Sequence, residues 1–192
     1  MMNLANVDGE VNYIKSFYTE EKANRFFKEL EAYNQYSQRT IKIFGKQHKS
    51  PRLEAFFTKE NQVYSYSGTK LESHAFTTTL QEICDDLEKF TNNKFNSVLV
   101  NVYRSGSDSN GWHSDDEKEL GESPFIASLS LGETRRIQFR HKELKNKFQI
   151  EMNHGSLLVM KGPLQHHWKH HIPKTKKEIG KRINLTFRSI KN

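Results

Sequence analysis

The carboxy-terminal half of the chain is a series of short apolar runs separated by polar turns, and this spacing limits the folds open to it. Closely spaced short strands are typical of β-sandwiches and jelly rolls, in which strands pack into two facing sheets. We therefore predict an all-β carboxy-terminal half of that kind. The apolar runs cover residues 95–103, 123–131, 135–141, 147–152, 156–160, 166–172 and 182–189.

The amino-terminal half mixes helical and strand patterns. Five residues recur at the spacing of an amphipathic helix: Leu80, Ile83, Cys84, Leu87 and Phe90. Thr19, followed by two glutamates, predicts the start of an earlier helix. Strands are predicted over 11–17, 39–44 and 63–67, and the Gly- and Pro-containing stretch 45–52 is predicted to be a turn or loop. We expect one domain, in which this α/β half packs against the all-β half.

The charge of the chain points to an anionic partner. Thirty Lys and Arg face 23 Asp and Glu, giving a net charge of +7 and an isoelectric point near 9.4. Such a balance favours nucleic acid, although a lysine-rich surface without a partner has the same charge. The 13 Phe and 7 Tyr would serve a protein that stacks on unpaired bases, and they would equally serve an ordinary aromatic core.

Cysteine and hydropathy indicate the cellular setting. Cys84 is the only cysteine, so neither an internal disulfide nor a thiolate zinc site can form, and we expect a buried core thiol. The sequence shows no basic-then-apolar leader and no apolar run long enough to cross a membrane. We expect a monomer in a reducing cytosolic compartment, or in the nucleus of a eukaryote, with no membrane partner.

A His-x-Asp pair follows a strand-like run and a Gly/Ser-rich loop. His113 and Asp115 project to the same side of an extended chain and could bind one metal ion. With nine histidines in the chain, one such pair could also arise by chance in a solvated loop. Two histidines and one carboxylate on one face of an octahedron mark non-haem iron(II) oxygenases. The tract HHWKHH at 166–171 offers four candidates for the third ligand, and spacing leaves them all open: His166, His167, His170 and His171.

The stretch RINLTFR at 182–188 carries two arginines on one face of a predicted strand. Arg182, Asn184 and Arg188 alternate with Leu185 and Phe187, which would face a core. Inward arginines are costly to bury without anions. A dicarboxylate would satisfy both guanidinium groups through forked hydrogen bonds. The alternative is that the arginines pair with carboxylates of the protein itself.

Together these motifs resemble the AlkB family of iron- and 2-oxoglutarate-dependent dioxygenases, most closely the branch that repairs methylated bases in double-stranded DNA. The resemblance runs from about residue 39 to 190. The matching stretches are NVY (101–103), HSDDE (113–117), SLSLG (128–132), FRHK (139–142), HGSLLVM (154–160), HW (167–168) and RINLTFR (182–188), with IFGKQHKSPR (43–52) and VYSYSG (63–68) upstream.

The resemblance implies an α+β fold with a double-stranded β-helix, a distorted jelly roll. Residues 1–92 would form helices and a nucleotide-recognition lid, and 93–192 the catalytic core. Fe(II) would be held by His113, Asp115 and His167, the last chosen only by the family's His-Trp position. Dioxygen and 2-oxoglutarate would be co-substrates. Five residues would bind 2-oxoglutarate: Asn101, Tyr103, Arg182, Asn184 and Arg188.

The resemblance also implies a base-recognition surface for a nucleotide flipped out of its duplex. We expect Phe44 to fill the gap left in the DNA, and Tyr66 and His113 to sandwich the base with Tyr64 alongside. As alternatives, Phe44 could belong to the core, and the two tyrosines could be sheet residues with solvent-facing hydroxyls. Three polar residues complete the expected surface: Asp116 against the exocyclic amine of a cationic base, Glu117 beside it, and Arg140 in a basic cluster for phosphates.

The expected activity is oxidative demethylation of 1-methyladenine and 3-methylcytosine in DNA, with release of formaldehyde and succinate. One alternative is a demethylase for RNA or another substrate with the same core. Another is an idle nucleic-acid-binding module with a vestigial metal site. The turn KNKF at 145–148 is shorter than in the relatives, which leaves the preference between duplex and single-stranded substrates open.

Overall fold

The computed structural model describes residues 3–43, 46–59, 64–66 and 69–191, without the side chains of 41–43, 46, 64–66 and 69–71. Within these ranges more residues lie in strands than in helices. The helices are α1 (Glu20–Glu31), α2 (Thr78–Thr91) and α3 (Leu164–His167). The strands are β1 (Glu10–Ile14), β2 (Thr40–Ile43), β3 (Lys46–Lys49), β4 (Leu53–Thr58), β5 (Tyr64–Tyr66), β6 (Thr69–Leu71), β7 (Ser73–Ala75), β8 (Ser97–Tyr103), β9 (Asn110–His113), β10 (Ile126–Gly132), β11 (Arg135–His141), β12 (Lys147–Met152), β13 (Ser156–Lys161), β14 (Trp168–Ile172) and β15 (Arg182–Arg188).

The two long helices begin where their sequences supply caps. The Thr19 side chain accepts a hydrogen bond from the Lys22 N–H at the start of α1, and Thr77 accepts one from the Leu80 N–H at the start of α2. The predicted amphipathic helix is confirmed in α2, whose apolar face is buried while Phe90 remains 47% exposed. Both helices pack against the outer face of the larger sheet, where their apolar residues share one core with the strands.

Two facing sheets form the body of the molecule, which confirms the predicted jelly roll. The larger sheet has the order β1-β13-β10-β15-β8-β4-β7, and the smaller has the order β12-β11-β14-β9. The pairs in both are antiparallel except for β4 with β7. A second apolar core fills the space between the sheets, with Phe139, Leu158 and Trp168 among its buried members.

Local patterns misjudged several segments of the amino-terminal half. The stretch predicted as a turn or loop contains β3, which pairs with β2 from Thr40↔Lys49 to Ile43↔Lys46. Strand β4 was not predicted, although it lies inside the larger sheet between β8 and β7. The pairing of the backbone with neighbouring strands decides such strands, and neither the basic KQHK of β3 nor the LEAFFT of β4 shows the regular apolar–polar alternation that marks a strand. Because β1, β4 and β7 complete the larger sheet, strands from both halves build it together.

The predicted strand over 166–172 is also corrected, because its first part is helical. Helix α3 ends at His167, and β14 begins at Trp168. Along β14 burial alternates, so that Trp168, His170 and Ile172 are buried while Lys169 and His171 are only partly so. No helix among the described residues is long and apolar enough to span a membrane.

Candidate metal and co-substrate site

A histidine–aspartate–histidine cluster lies between the two sheets. His113 ends β9, and its register partner on the neighbouring strand β14 is His170. Asp115 follows two residues after His113 and is buried. One potential ligand atom from each of the three side chains lies within 4.8 Å of the other two. The cluster therefore offers two imidazoles and one carboxylate to a single ion, the ligand set expected for non-haem iron.

The protonation states of the cluster suit a metal. The Gly111 carbonyl accepts a hydrogen bond at 2.8 Å from Nδ1 of His113, so Nε2 keeps its lone pair and lies 3.7 Å from the Asp115 carboxylate. Burial lowers the pKa of His113 and lowers that of His170 to about 3. Burial alone would raise the pKa of Asp115, but Arg188 and the two histidines lower it to about 2. At neutral pH all three ligands are in the form that binds a cation.

His167, the residue expected to complete this cluster, lies elsewhere. Its ring is 5.9 Å from that of His141, in a second group with Asp8. Nδ1 of His141 accepts hydrogen bonds from two backbone N–H groups, so its Nε2 carries the hydrogen and donates to Asp8. A histidine with both nitrogens engaged in this way cannot ligate a metal. The structure therefore places His170, and not the expected His167, beside His113 and Asp115, because β14 turns its even-numbered residues inward.

The other two candidates in the tract are also placed away from the cluster. His171 lies on the outer face of the smaller sheet, where its Nε2 contacts the Gln138 side-chain oxygen at 2.7 Å. His166 contacts the Glu122 carbonyl oxygen on the surface. Of the four histidines that spacing left open, the structure thus brings only His170 to His113 and Asp115.

Two hydrogen bonds fasten the His-x-Asp loop to the segment that carries His170. The buried Gln165 side chain accepts a hydrogen bond from the Asp115 N–H at 2.9 Å. The Ser114 hydroxyl donates to the Trp168 carbonyl oxygen at 2.9 Å. These contacts hold distant parts of the chain in register. The sequence analysis did not predict a role for Gln165. Its only distinguishing feature in the sequence is its position between Leu164 and the His-rich tract at 166–171.

The five residues expected to bind 2-oxoglutarate all line the cavity that contains this cluster. Strands β8 and β15 pair so that Tyr103 lies opposite Arg182 and Asn101 opposite Asn184. The predicted alternation on β15 is confirmed, since Leu185 and Phe187 lie in the core on the other side of the sheet. The lining residues that carry polar side chains are Asn101, Tyr103, Asn110, His113, Asp115, Ser128, His170, Arg182, Asn184, Thr186 and Arg188.

The Arg182 guanidinium is a buried cation with no carboxylate against it among the described residues. Its Nε donates to the Ser130 hydroxyl at 2.8 Å and its Nη2 to the Asn184 side-chain oxygen at 2.7 Å. Nη1 is buried and has no hydrogen-bond partner in the part of the chain that the structure describes. Burial lowers the pKa of Arg182 to about 10. This arrangement is costly unless an anion enters the cavity.

The second arginine is held differently. Arg188 Nη2 lies 2.9 Å from Oδ1 of Asp115, and both side chains are buried. The alternative that the arginines pair with protein carboxylates therefore holds for Arg188 and fails for Arg182. A dicarboxylic acid with one end at Arg182 and the other near Arg188 and the metal cluster fits this division of roles.

The fold and the ligand set are those of a known superfamily. The sequence model of the 2OG-Fe(II) oxygenase superfamily matches residues 10–188. The chain belongs to this superfamily. Its cofactors are Fe(II) and 2-oxoglutarate with dioxygen, and the chain is a dioxygenase. The three-ligand cluster fits the ferrous ion and the Arg182 Nη1 atom fits a carboxylate of the co-substrate, so the residues present suit both groups.

Relatives within the oxygenase superfamily carry informative names. The chain is 37% identical over 180 residues to human "DNA oxidative demethylase ALKBH2", covering 88% of this chain and 69% of that protein. It is 33% identical over 205 residues to the Arabidopsis thaliana protein of the same name, covering 93% and 65%. With human "Alpha-ketoglutarate-dependent dioxygenase alkB homolog 3" it shares 37% over 153 residues, covering 74% and 53%. The chain thus spans about two thirds of these two ALKBH2 relatives and about half of the human alkB homolog 3 protein.

A solved structure supports the oxygenase fold. The structure of OsALKBH1 superimposes with a TM-score of 0.65 and covers 93% of this chain and 97% of that one. At 14% sequence identity the likeness concerns the fold alone.

One further arginine, which was not predicted, contacts a residue that lines the oxygenase cavity. Arg52 is buried, and its Nε donates to the Asn101 side-chain oxygen at 2.6 Å. Its Nη2 lies 3.3 Å from Glu54, which also pairs with Arg39 at 2.6 Å. Arg52 therefore orients the amide of Asn101 toward the co-substrate residues. Arg52 directly precedes β4. Because β4 was not predicted from the sequence, nothing in the sequence indicated that Arg52 is buried.

The expected base-recognition residues are only partly visible in the structure. Phe44 lies outside the described residues, and Tyr64 and Tyr66 lie on β5 with side chains that are also outside the description. Asp116 is exposed and lies 3.7 Å from the Lys142 ammonium group. Glu117 is partly buried just before the 3-10 turn Lys118–Leu120.

Arg140, the last residue predicted for the substrate surface, lies on the outer face of the smaller sheet. Its guanidinium carbon is 4.2 Å from the ring centre of Trp112. Arg140 thus contacts Trp112, the chain neighbour of His113, but it lies on the face of the sheet opposite the cavity.

Proposed function

We propose that this dioxygenase removes methyl groups from damaged bases in DNA, with 1-methyladenine and 3-methylcytosine as substrates and formaldehyde and succinate as products. The observation that carries the proposal is the buried Arg182, a cation that no carboxylate of the described residues contacts, in a cavity shared with a two-histidine, one-carboxylate cluster. That pairing fits the oxidation chemistry. The DNA substrate is supported by the names of the ALKBH2 relatives and by the net charge of +7.

In this proposal His113, Asp115 and His170 hold the metal. The iron centre with its co-substrates supplies the oxidising power that hydroxylates a methyl group, after which the product loses formaldehyde. Around the ligands, the Gly111 carbonyl fixes the tautomer of His113 and Arg188 orients the Asp115 carboxylate.

The remaining polar residues of the cavity bind the co-substrate. Arg182 holds the far carboxylate together with Tyr103, while Arg188, Asn101 and Asn184 line the path toward the ligands. Ser130 and Asn184 fix the orientation of the planar Arg182 guanidinium by accepting two of its hydrogen bonds. Apolar side chains from both sheets close the cavity around these groups and exclude water, which strengthens each charged contact.

The substrate enters as a flipped nucleotide, because a methyl on the pairing edge cannot be reached inside a duplex. Asp116 and Glu117 follow the metal ligand Asp115 directly, so a base against the cavity mouth would meet their carboxylates. A carboxylate near the exocyclic amine favours a cationic base. We propose the sandwich of Tyr66 and His113, with Tyr64 alongside and Phe44 in the gap of the DNA, as the remaining part of this surface.

An aerobic assay with Fe(II), ascorbate and 2-oxoglutarate tests the proposal. The substrates are single- and double-stranded oligonucleotides that carry 1-methyladenine, and the readouts are repaired base, formaldehyde and succinate. We expect all three products in equal amounts. Succinate without repaired base would move the substrate to another class, such as RNA, and no turnover in any assay would support an idle binding module.

A further inference from the structure

The outer face of the smaller sheet carries a stack of three planar groups that the proposed catalysis does not use. The Trp112 and His171 rings have centroids 3.8 Å apart and an interplanar angle of 22°. The Arg140 guanidinium carbon lies 4.2 Å from the Trp112 ring centre. His113 and His170 point into the cavity, so their chain neighbours Trp112 and His171 lie on the opposite side of the sheet.

A hollow of about 460 Å³ opens beside this stack. Its polar side chains are those of Gln138, Arg140, Lys147 and Gln149, and Trp112 forms one wall. The Gln138 amide donates to the Gln149 oxygen at 3.3 Å. The volume falls within the range of about 300–1,000 Å³ typical of small-ligand sites. The outer hollow therefore combines an aromatic wall, two amides and two cations.

This combination matches one nucleotide better than other anions. Because His171 and Arg140 cover the two faces of the Trp112 indole, a base would stack on the outer face of the exposed Arg140 guanidinium, which the indole supports from behind. Stacking of this kind is the main device of single-strand binders. Side-chain amides can hydrogen-bond base edges, and lysine and arginine contact phosphates. An acidic peptide would use the two cations but would leave the indole and the amides without a role.

We propose that the outer hollow binds one unpaired nucleotide of the single strand whose damaged base occupies the catalytic cavity. This proposal rests on the nucleic-acid substrate proposed above. Trp112 directly precedes His113, so the two sites lie on opposite faces of the same short strand, β9. Because bases in a duplex are already stacked on each other, the outer hollow would favour single-stranded substrates over duplex ones.

Tryptophan fluorescence tests the proposal without any turnover. The chain has two tryptophans, and Trp168 is 1% exposed, so a change of emission on adding nucleic acid reports on Trp112. The probe is an unmethylated oligodeoxythymidylate, and its affinity is measured separately by anisotropy of a labelled copy. We expect quenching by the oligonucleotide and much weaker binding of thymidine monophosphate.

Variants assign the contact to the outer hollow. Trp112→Leu should weaken oligonucleotide binding at least about fivefold, with an unchanged salt dependence. Lys147→Gln should lower the salt dependence and keep the quenching. Gln149→Leu, on the strand farthest from β9, should also weaken binding. Arg140→Lys retains the positive charge but removes the planar guanidinium, so it separates the contribution of stacking from that of electrostatic attraction to phosphate. Phe90→Ala, at an exposed aromatic residue on α2, is the matched control and should bind like the wild type.

Two results would overturn the proposal. One is oligonucleotide binding, seen by anisotropy, that leaves the wild-type emission unchanged. The other is wild-type affinity in both Trp112→Leu and Gln149→Leu; if Trp112→Leu does not fold, Trp112→Phe and Gln149→Leu decide. Failure here is distinguishable from failure of the proposed function, because repair of a methylated oligonucleotide is measured independently of the quenching.

Discussion

Replacing Arg182 with methionine separates the cost of burying this cation from its role in holding the co-substrate. Burial lowers the pKa of Arg182 to about 10. That lowering corresponds to a free-energy cost of about 3 kcal/mol for keeping the guanidinium charged in the ligand-free protein. Against it stand the hydrogen bonds to Ser130 and Asn184, worth about 1.5 kcal/mol each. The two effects nearly cancel, so Arg182→Met should change the stability of the ligand-free protein by no more than about 1 kcal/mol.

The stability of the liganded protein should respond strongly to the same substitution. Two charge-assisted hydrogen bonds to a carboxylate contribute about 3–6 kcal/mol, so the dissociation constant for 2-oxoglutarate should rise at least about 150-fold. At a ligand concentration of about one hundred times the wild-type constant, the wild type gains about 2.7 kcal/mol, or about 5–10 °C in melting temperature. Arg182→Met should gain at most about 0.3 kcal/mol.

The assay is thermal unfolding with Mn(II), which fills the metal site without turnover, at increasing 2-oxoglutarate. Arg182→Lys keeps the charge without the fork and should lie between the two. Arg136→Met is the matched control, since Arg136 is 48% exposed and pairs with Glu151 on the outer face. An undiminished ligand-induced shift in Arg182→Met would refute the assignment of this residue to the co-substrate. A ligand-free destabilisation of several kcal/mol would refute the assertion that the cation is poorly compensated.

Three further predictions concern the metal, the lesion and acid stability. His170→Ala should abolish Mn(II) binding measured by calorimetry, while His167→Ala should bind normally; the reverse result would restore the position read from the sequence. Asp116→Ala should lower repair of cationic lesions relative to neutral ones by about 10-fold, corresponding to one charge-assisted hydrogen bond, and an unchanged lesion profile in competition assays would count against it. Burial alone would raise the pKa of Glu88, but its hydrogen bonds lower it to about 2. The groups around this carboxylate are the Lys59 and Lys94 ammoniums, the Phe95 N–H and the Cys84 thiol. Since the folded pKa lies below the unfolded value of about 4.3, Glu88 stabilises the fold above that value and this contribution disappears as the pH falls toward 2. Urea unfolding should therefore show a shallower loss of stability between pH 5 and pH 2 in Glu88→Gln, and equal slopes would contradict the assignment.

The sequence by itself determined the chemistry of this protein. The alternation of RINLTFR put both arginines on one face, the single spacer between His113 and Asp115 put both side chains on one side, and the short apolar runs predicted the jelly roll. These inferences succeed because strand periodicity is a local property of the backbone, and seven residues are enough to express it. The family resemblance then followed from the order of these motifs along the chain.

Only the tertiary structure decided which histidine lies beside His113 and Asp115. Four histidines stand within six positions, and which of them faces the cavity depends on where α3 ends and on the phase of β14. That phase is set by Trp168, which is buried in the core between the sheets and donates its indole N–H to the Val7 carbonyl oxygen. A shift of one residue would reverse every side chain on the strand.

The same reason explains the residues that were missed. Gln165 and Arg52 act through the backbone N–H of Asp115 and the amide of Asn101, at separations of 50 and 49 positions along the chain. Arg182 and Arg188 looked alike in sequence, yet one pairs with Asp115 and the other has no carboxylate among the described residues. Which charge is left for the co-substrate is a property of the packed sheets, because it depends on contacts between strands that local pattern does not encode.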